Sequence, residues 1–320
     1  MRDIRIVFMG TPEFAVTILK GILKKEYNVV GVITAPDKPA GRGRKINQSA
    51  VKKFAIENKL TVLQPTNLKA PSFNEELKAL NANLQVVVAF RMLPKSVWSM
   101  PQYGTFNLHA SLLPEYRGAA PINWAIINGE TQTGVTTFFI DEKIDTGEII
   151  LQKKCTIEAT ESAGELHDKL MHLGSKLVTK TIKKIKKDNI KTKPQPNREH
   201  KHAPKIFKET CKLDWNDNLE VIYNKVRGLS PYPVSWTNLQ NGEQSIEMKI
   251  YKALPAKNLP ESFITSQEKV GRIIHSKKEL FIVCTNGFLK IEELQVSGKR
   301  RMDIKSFLNG YTFKNNAKVY

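Results

Sequence analysis

The chain has 320 residues, of which 41% are hydrophobic and 25% charged, and its formal net charge is +19. This length and composition exclude wholesale disorder and leave room for two domains with sizeable cores. No apolar run approaches the length of a membrane span, and charged residues interrupt the apolar ones at the N-terminus, unlike in a signal peptide, so we expect a cytoplasmic protein with no membrane partner.

The positive charge is concentrated in one short stretch. Residues 176 to 208 contain 12 Lys and Arg but only 2 Asp and Glu, whereas residues 1 to 175 contain 21 and 17. Such a block is typical either of a solvated face or of contact with a polyanion. Charge alone leaves both interpretations open.

Residue types that form disulfides or bind metals are sparse. Cys155, Cys211 and Cys284 are far apart and form no CxxC pair, and His167 and His172 are five residues apart rather than four. We therefore expect no disulfide framework and no metal site.

The chain begins with a βαβ pattern. Ile4 to Met9 is a continuous apolar run, typical of a central strand, and an amphipathic helix separates it from a second strand at Asn28 to Thr34. The turn after the first strand lacks GxGxxG, and Pro12 removes an amide that a pyrophosphate would need. The pattern favours an α/β, Rossmann-like domain with a mostly parallel sheet, but not a dinucleotide site.

A stretch rich in Pro, Gly and basic residues follows from Ala35 to Gln48. Two Pro and two Gly predict a loop without helix or strand, which presents Arg42, Arg44 and Lys45. An ordinary polar surface loop is the alternative. The position after a βαβ strand and the Gly-Arg-Gly-Arg composition favour contact with RNA.

Candidate catalytic side chains lie farther along the predicted sheet. Leu84 to Phe90 reads as a buried strand that ends in a turn at its carboxyl end, where open α/β sheets bind ligands. The next short strand carries Asn107 and His109 on one face, because they are two residues apart. An amide beside an imidazole suits acyl transfer, since the amide can stabilise an oxyanion and the imidazole can move protons. Asp145 is a candidate to orient that imidazole.

The C-terminal part has a different pattern. Ser162 and Glu165 form a capping box at the start of a long amphipathic helix with a basic far end, and residues 190 to 207 read as a linker. Short strands with Gly and Asn turns then predict a small β-barrel.

The motifs around the candidate catalytic residues match a known family. Asn107-x-His109 leads into Ser111-Leu-Leu-Pro114, and Asp145-Thr-Gly follows downstream. This set resembles the folate-dependent formyltransferases. The segment Tyr-Arg-Gly-Ala-Ala-Pro-Ile at residues 116–122 narrows the resemblance to the methionyl-tRNA formyltransferases, and Arg-Gly-Leu-Ser-Pro-Tyr-Pro at 227–233 is also similar to a segment of that family. The resemblance covers nearly the whole chain.

The resemblance implies an organisation and an activity. It implies an N-terminal formyltransferase catalytic domain at residues 1–189, a basic linker at 190–207 and a C-terminal OB-like tRNA-binding domain at 208–320. It implies transfer of a formyl group from the co-substrate 10-formyltetrahydrofolate to the α-amino group of initiator methionyl-tRNA, for translation initiation. Asn107, His109 and Asp145 would carry the chemistry, without a metal, and we expect a monomer.

The resemblance also implies binding residues. The folate-binding residues are Phe90, Arg91, Met92, Leu93, Ser111, Leu112, Leu113 and Pro114. The residues that bind the tRNA or its methionine are Phe14, Arg42, Arg44 and Lys45, although Phe14 is equally compatible with a core position on its helix.

Two other functions remain as alternatives. The same chemistry could act on a small amine, such as glycinamide ribonucleotide or an amino sugar nucleotide, but that activity does not call for a basic linker and a β domain. A non-catalytic RNA-binding protein could retain the fold, but the intact set of Asn107, His109 and Asp145 argues against it.

Overall fold

The computed structural model describes residues 1–40, 45–263 and 269–320. These residues form two compact units, each made of several stretches of the chain. The first unit comprises Met1–Pro121, Gln132–Thr156 and His167–Ala203, and the second comprises Ile122–Thr131, Ile157–Leu166 and Pro204–Tyr320. Residues 190 to 203 of the expected linker thus belong to the first unit, and residues 122–131 and 157–166 of the expected N-terminal domain belong to the second. The predicted domain boundaries stay a prediction.

The described elements up to residue 203 include both strands and helices. The strands are β1 (Arg5–Gly10), β2 (Asn28–Ile33), β3 (Lys38–Ala40), β4 (Lys45–Asn47), β5 (Val62–Leu63), β6 (Leu84–Val88), β7 (Thr105–His109), β8 (Arg117–Gly118), β9 (Gln132–Phe139), β10 (Ile149–Thr156) and β11 (His202–Ala203). The helices are α1 (Glu13–Leu23), α2 (Ala50–Glu57), α3 (Pro71–Ala79), α4 (Lys95–Trp98), α5 (Pro121–Ile127) and α6 (Ala163–Lys186).

The main sheet of the first unit has the order β10-β9-β7-β6-β1-β2-β5. The five strands from β7 to β5 run parallel, whereas β9 is antiparallel to β7 and β10 is antiparallel to β9. This confirms the predicted Rossmann-like, mostly parallel sheet. The catalytic-strand candidate β7 lies between β6 and β9, so neighbouring strands hold both of its edges.

Helices cover both faces of this sheet, as the continuous apolar strands require. On one face, Val7 and Met9 of β1 pack with Phe73 and Leu77 of α3. On the other face, α6 passes close to β7 at Gly174, where an added Cβ would lie 2.7 Å from the Leu108 side chain. The glycine permits this close approach, which fixes the strand that carries the candidate site.

The prediction that residues 35–48 contain no strand is wrong. β3 and β4 form a short antiparallel hairpin, in which Pro39 is paired with Ile46. Proline is tolerated here because the hairpin stands apart from the main sheet and Pro39 lies in an edge strand. Arg42 and Arg44 lie outside the described residues, and only the backbone of Lys45 is described.

The described residues of the second unit from Pro204 onward form an antiparallel sheet and helices. Its elements are α7 (Leu219–Leu229), β12 (Ser235–Asn241), β13 (Gln244–Ala256), β14 (Ile273–His275), β15 (Leu280–Cys284), β16 (Gly287–Val296), β17 (Met302–Asp303), α8 (Ile304–Asn309) and β18 (Lys318–Val319). The strand order is β14-β15-β16-β13-β12-β18, and a bridge between Arg272 and Lys318 joins the two ends. The predicted small β-barrel is confirmed.

Residues 227–229 of the segment 227–233 end α7, a helix that the sequence patterns had not indicated, and residues 230–233 follow that helix. Arg227 is buried, and its Nε donates to Asn224 Oδ1 at 2.9 Å while Nη1 donates to the Glu161 carbonyl at 3.0 Å. Burial lowers the pKa of the Arg227 guanidinium. The arginine of this motif therefore has a structural role within the second unit.

Within the described ranges, none of the helices combines the length and the apolar character that crossing a membrane requires.

Candidate active site

Strand β7 presents Asn107 and His109 on one face, as the two-residue alternation predicts. Asn107 pairs with Val87 of β6 and Phe138 of β9, so its backbone is fixed from both sides. Its side chain is half-buried and makes no hydrogen bond to another described residue. Both amide N–H groups of Asn107 are therefore available to an acceptor.

The His109 ring lies between two oxygen atoms. Nε2 is 2.8 Å from the Tyr116 carbonyl oxygen, and Nδ1 is 3.7 Å from Asp145 Oδ2. Because a carbonyl can only accept, Nε2 carries a proton and donates in this contact. Nδ1 faces the Asp145 carboxylate. His109 is 6% exposed, so this arrangement is shielded from water.

Asp145 is held by its backbone as well as by its carboxylate. Oδ2 accepts a hydrogen bond of 3.0 Å from the Gly118 amide, and the Asp145 carbonyl accepts one of 2.9 Å from Gln195 Nε2. Its φ of +56° lies in the left-handed region, which a non-glycine residue adopts at a cost. The contacts compensate for that cost and direct the carboxylate towards His109.

The turn of residues 116–118 supplies two backbone partners to this group. Tyr116 accepts from His109, and Gly118 donates to Asp145. Gly118 has φ +122°, and an added Cβ would lie 2.5 Å from the carbonyl oxygen of Ala203 in the neighbouring strand β11. Only glycine fits this position without displacing the turn.

Gly118→Ala is expected to lower the free energy of unfolding by more than about 1 kcal/mol, since both the positive φ and the contact with Ala203 oppose a methyl group. Gly310→Ala is the matched control, because an added Cβ there meets no atom within 4 Å and φ is −125°. Urea unfolding of both variants measures the difference. Equal stability of the two variants would contradict this account of the turn.

Tyr116, Gly118 and Gln195 contact the predicted catalytic residues but were not among the predicted site residues. The first two act through backbone groups, which the side-chain pattern does not reveal. Gln195 Oε1 accepts from Arg117 Nε at 3.1 Å and Nη2 at 2.6 Å, and its Nε2 also donates to the Gly147 carbonyl at 2.8 Å. Its only sequence signal is its place between two prolines in the expected linker.

The predicted folate-binding residues lie in two segments that follow β7 and β6. Ser111 is fully buried and its hydroxyl donates to the Glu115 carbonyl at 2.6 Å, so this side chain is used within the turn. The Leu113 amide and carbonyl bind Thr136 and Gln152. Leu112 is half-buried, and Leu113 and Pro114 are buried.

The segment after β6 is more exposed. Met92 is 67% exposed, whereas Leu93 is buried in the core and Phe90 is half-buried. The guanidinium of Arg91 donates to the carbonyls of Pro65 and Thr66. Only Met92 therefore extends a large apolar side chain into solvent from this turn.

Phe14 occupies the first turn of α1 and is 7% exposed. Its ring contacts the edge of the His167 ring at a centroid distance of 5.2 Å. This burial fits the core interpretation and leaves only a small part of the ring for a ligand.

A polar cavity of about 610 Å³ opens beside the loop that carries Asp145. Its walls include Arg117, Lys143, Thr146, Gln195 and Arg198. This volume lies in the range of small-molecule sites. Asp141 and Glu142 also line it, so its walls carry charges of both signs.

Solved structures with the same fold include sugar N-formyltransferases. A sugar 3N-formyl transferase determined with dTDP and 5-N-formyl-THF has a TM-score of 0.65 and 23% identity, covering 94% of this chain and 100% of that one. The N-formyltransferase from Helicobacter canadensis, in complex with folinic acid and dTDP-3-aminofucose, has a TM-score of 0.65 and 22% identity, covering 90% and 98%. At this identity the similarity shows the fold alone.

Relatives of higher identity match over the full length. The chain is 59% identical to methionyl-tRNA formyltransferase of Flavobacterium johnsoniae, over 100% of both chains, and 48% identical to that of Bacteroides thetaiotaomicron, over 99% and 98%. Residues 4–182 match the formyl transferase family model, and residues 205–312 match the model of the formyl transferase C-terminal domain. The chain therefore belongs to the formyl transferase family, in the group of the methionyl-tRNA formyltransferases.

Proposed function

We propose that this chain transfers a formyl group from 10-formyltetrahydrofolate to the α-amino group of initiator methionyl-tRNA, giving formylmethionyl-tRNA and tetrahydrofolate. The observation that carries the proposal is the identity of 48–59% over the full length to methionyl-tRNA formyltransferases. The arrangement of Asn107, His109 and Asp145 supplies chemistry that fits this reaction. The structural neighbours determined with folates support the choice of co-substrate.

Asn107 is the proposed oxyanion donor. The neutral amine of methionine attacks the formyl carbon, and negative charge develops on the formyl oxygen as the new N–C bond forms. The Asn107 amide, fixed on a central strand, donates to that oxygen without reorganisation. Donors of this kind contribute about 3 kcal/mol in comparable sites.

His109 is the proposed proton carrier. The amine must lose a proton and N10 of the folate must gain one when the bond between the formyl carbon and N10 breaks. His109 moves this proton, and Asp145 stabilises the ring while it is doubly protonated. Nε2 donates to the Tyr116 carbonyl, so this hydrogen bond has to break before Nε2 can exchange a proton with the reacting atoms.

We propose that the segments 90–93 and 111–114 bind the folate, and that Phe14 contacts the methionine side chain. The first segment follows the carboxyl end of β6, where parallel sheets bind ligands, and the second follows β7. The burial of Ser111 and Leu113 implies that this second segment acts through shape and backbone groups.

The tRNA is the proposed partner of the basic block at residues 176–208, of Arg42, Arg44 and Lys45, and of the C-terminal domain. The last turn of α6 is basic, and Lys183 and Lys187 are exposed. Phosphate contacts release counterions and therefore carry a dependence on salt. The alternative of a small amine acceptor does not use this charge.

Neutralising four lysines of this block should raise KM for the tRNA. It should also reduce the slope of log K against log salt concentration, by up to about 0.9 for each phosphate that these lysines contact in the complex. KM for the folate should not change. The four lysines are Lys183, Lys184, Lys186 and Lys187. Steady-state kinetics at several salt concentrations measure the effect.

A control variant removes the same charge from other exposed positions of the first unit. Its substitutions are at Lys24, Lys25, Lys69 and Lys78. If both variants have the same salt slope, the basic block does not bind the tRNA.

The proposed activity is tested by incubating the protein with 10-formyltetrahydrofolate and methionyl-tRNA, then releasing the amino acid and measuring formylmethionine by mass spectrometry. Methionyl-tRNA with an acetylated amine is the negative control. Absence of formylmethionine would refute the proposal. The two alternatives, formyl transfer to a small amine and a non-catalytic RNA-binding role, would then be favoured. The cytoplasmic location and the monomeric state stay predictions.

A further inference from the structure

Gln195 connects three parts of the first unit that meet at the candidate active site. Its Nε2 donates to the carbonyls of Asp145 and Gly147, at 2.9 and 2.8 Å, and its Oε1 accepts two hydrogen bonds from the Arg117 guanidinium. These four bonds use both N–H groups and both oxygen lone pairs of the amide. The side chain is half-buried, and all of its hydrogen bonds are made to other groups of the protein.

The backbone around Gln195 is anchored on both sides. Lys193 forms a bridge to Ile149 at the start of β10, with hydrogen bonds of 2.8 and 2.9 Å in the two directions. Downstream, β11 pairs with β8, the strand that contains Arg117. Pro194 and Pro196 restrict the backbone next to Gln195. The amide is therefore held at a fixed place against the loop of residues 145–147.

We propose that Gln195 is a positioning residue for the formyl transfer, which acts by fixing Asp145 beside His109. This inference rests on the proposed function for its kinetic part. Asp145 has a left-handed φ, and the hydrogen bond from Gln195 to its carbonyl opposes relaxation of that conformation. Without the amide, the Asp145 carboxylate moves away from His109 Nδ1. The distance from Asp145 Oδ2 to Nδ1 is already 3.7 Å, so a further increase weakens their interaction.

Two substitutions separate the contacts of the amide. Gln195→Met removes every hydrogen bond and keeps the length of the side chain, whereas Gln195→Glu keeps an acceptor for Arg117 but loses the donor to the loop. Both should lower kcat by about 10- to 100-fold with KM for the tRNA nearly unchanged, because a small misplacement at a reacting centre reduces kcat. Wild-type kcat in Gln195→Glu would overturn the proposal.

Gln295→Met is the matched control. Gln295 in the second unit donates to the Lys299 carbonyl at 2.8 Å and accepts from the Tyr251 hydroxyl at 3.0 Å, so the substitution removes a similar set of bonds. It should preserve kcat. A loss of kcat equal to that of Gln195→Met would show that general destabilisation causes the effect and would overturn the proposal.

A double-mutant cycle tests whether Gln195 acts through Asp145. In an Asp145→Asn background, Gln195→Met should change kcat by less than about threefold, because residues that act as a unit are not additive. If the two losses multiply, Gln195 does not act through Asp145 and the proposal fails.

The ring resonances of His109 give a readout that needs no substrate. The chain has six histidines, and the spectrum of His109→Asn assigns the signal by its absence. Gln195→Met and Asp145→Asn should displace this signal in the same direction, and Gln295→Met should leave it in place. An unmoved signal in Gln195→Met overturns the positioning role, whereas an inactive wild-type protein with the expected displacements overturns only the proposed function.

Discussion

His109→Asn is expected to lower kcat for formylation of methionyl-tRNA by about three orders of magnitude, within the range for loss of a general acid–base group. Asn keeps a polar side chain of smaller size but cannot carry a proton between the amine and N10. Folate affinity should stay close to that of the wild type, because the ring contacts Tyr116 and Asp145 rather than the predicted folate segments. Single-turnover kinetics with saturating substrates measure the chemical step.

His172→Asn is the control for this substitution. His172 is exposed on α6, in the same unit, so its replacement should leave kcat unchanged. A His109 variant with kcat within a few-fold of the control would remove this ring from the proposed mechanism. Loss of folate binding in parallel with kcat would instead assign His109 to ground-state binding.

Asn107→Asp is expected to lower kcat by about 100- to 1,000-fold. The substitution is nearly isosteric, but it replaces two N–H donors by a carboxylate that repels the developing oxyanion. Because β6 and β9 hold the backbone of residue 107, the fold should be retained. The loss should appear in kcat and kcat/KM equally, since the interaction exists only in the transition state.

Asn67→Asp provides the matched control. Asn67 is exposed in the same unit and only its Oδ1 is used, as an acceptor from the Lys69 amide, which a carboxylate preserves. This variant should retain wild-type kinetics. An Asn107→Asp enzyme that retained near-normal kcat, or that changed only KM, would exclude the oxyanion role.

The features of the site that follow from local sequence were predictable. Alternation places Asn107 and His109 on one face of a strand, and the structure shows both on β7. The capping box was also local, and the Ser162 amide does donate to Glu165 at 2.8 Å. Such patterns depend on residues a few positions apart, so they can be recognised in the amino-acid sequence without knowledge of the fold.

Features that depend on distant contacts were not predictable in the same way. Gln195 lies 50 residues from Asp145 in the chain, and its proline-rich surroundings have the composition of a linker. The two prolines of residues 35–48 argued against a strand, because proline is disfavoured in central strands. Pro39 nevertheless pairs with Ile46, since proline is tolerated in an edge strand. Helix α7 has a buried stripe that its periodicity could have indicated, but the motif at residues 227–233 contains Gly and Pro, which favour a loop.

The most direct test of the proposed activity is a competition in one tube. The protein is given 10-formyltetrahydrofolate with a labelled formyl group, together with initiator methionyl-tRNA and an amino sugar nucleotide at equal concentrations. We predict that the label appears on the methionine of the tRNA, and that His109→Asn and Asn107→Asp lower the initial rate of this transfer by about 100-fold or more while His172→Asn does not. Label on the amino sugar nucleotide, or equal transfer by wild type and His109→Asn, would contradict the proposed activity and mechanism.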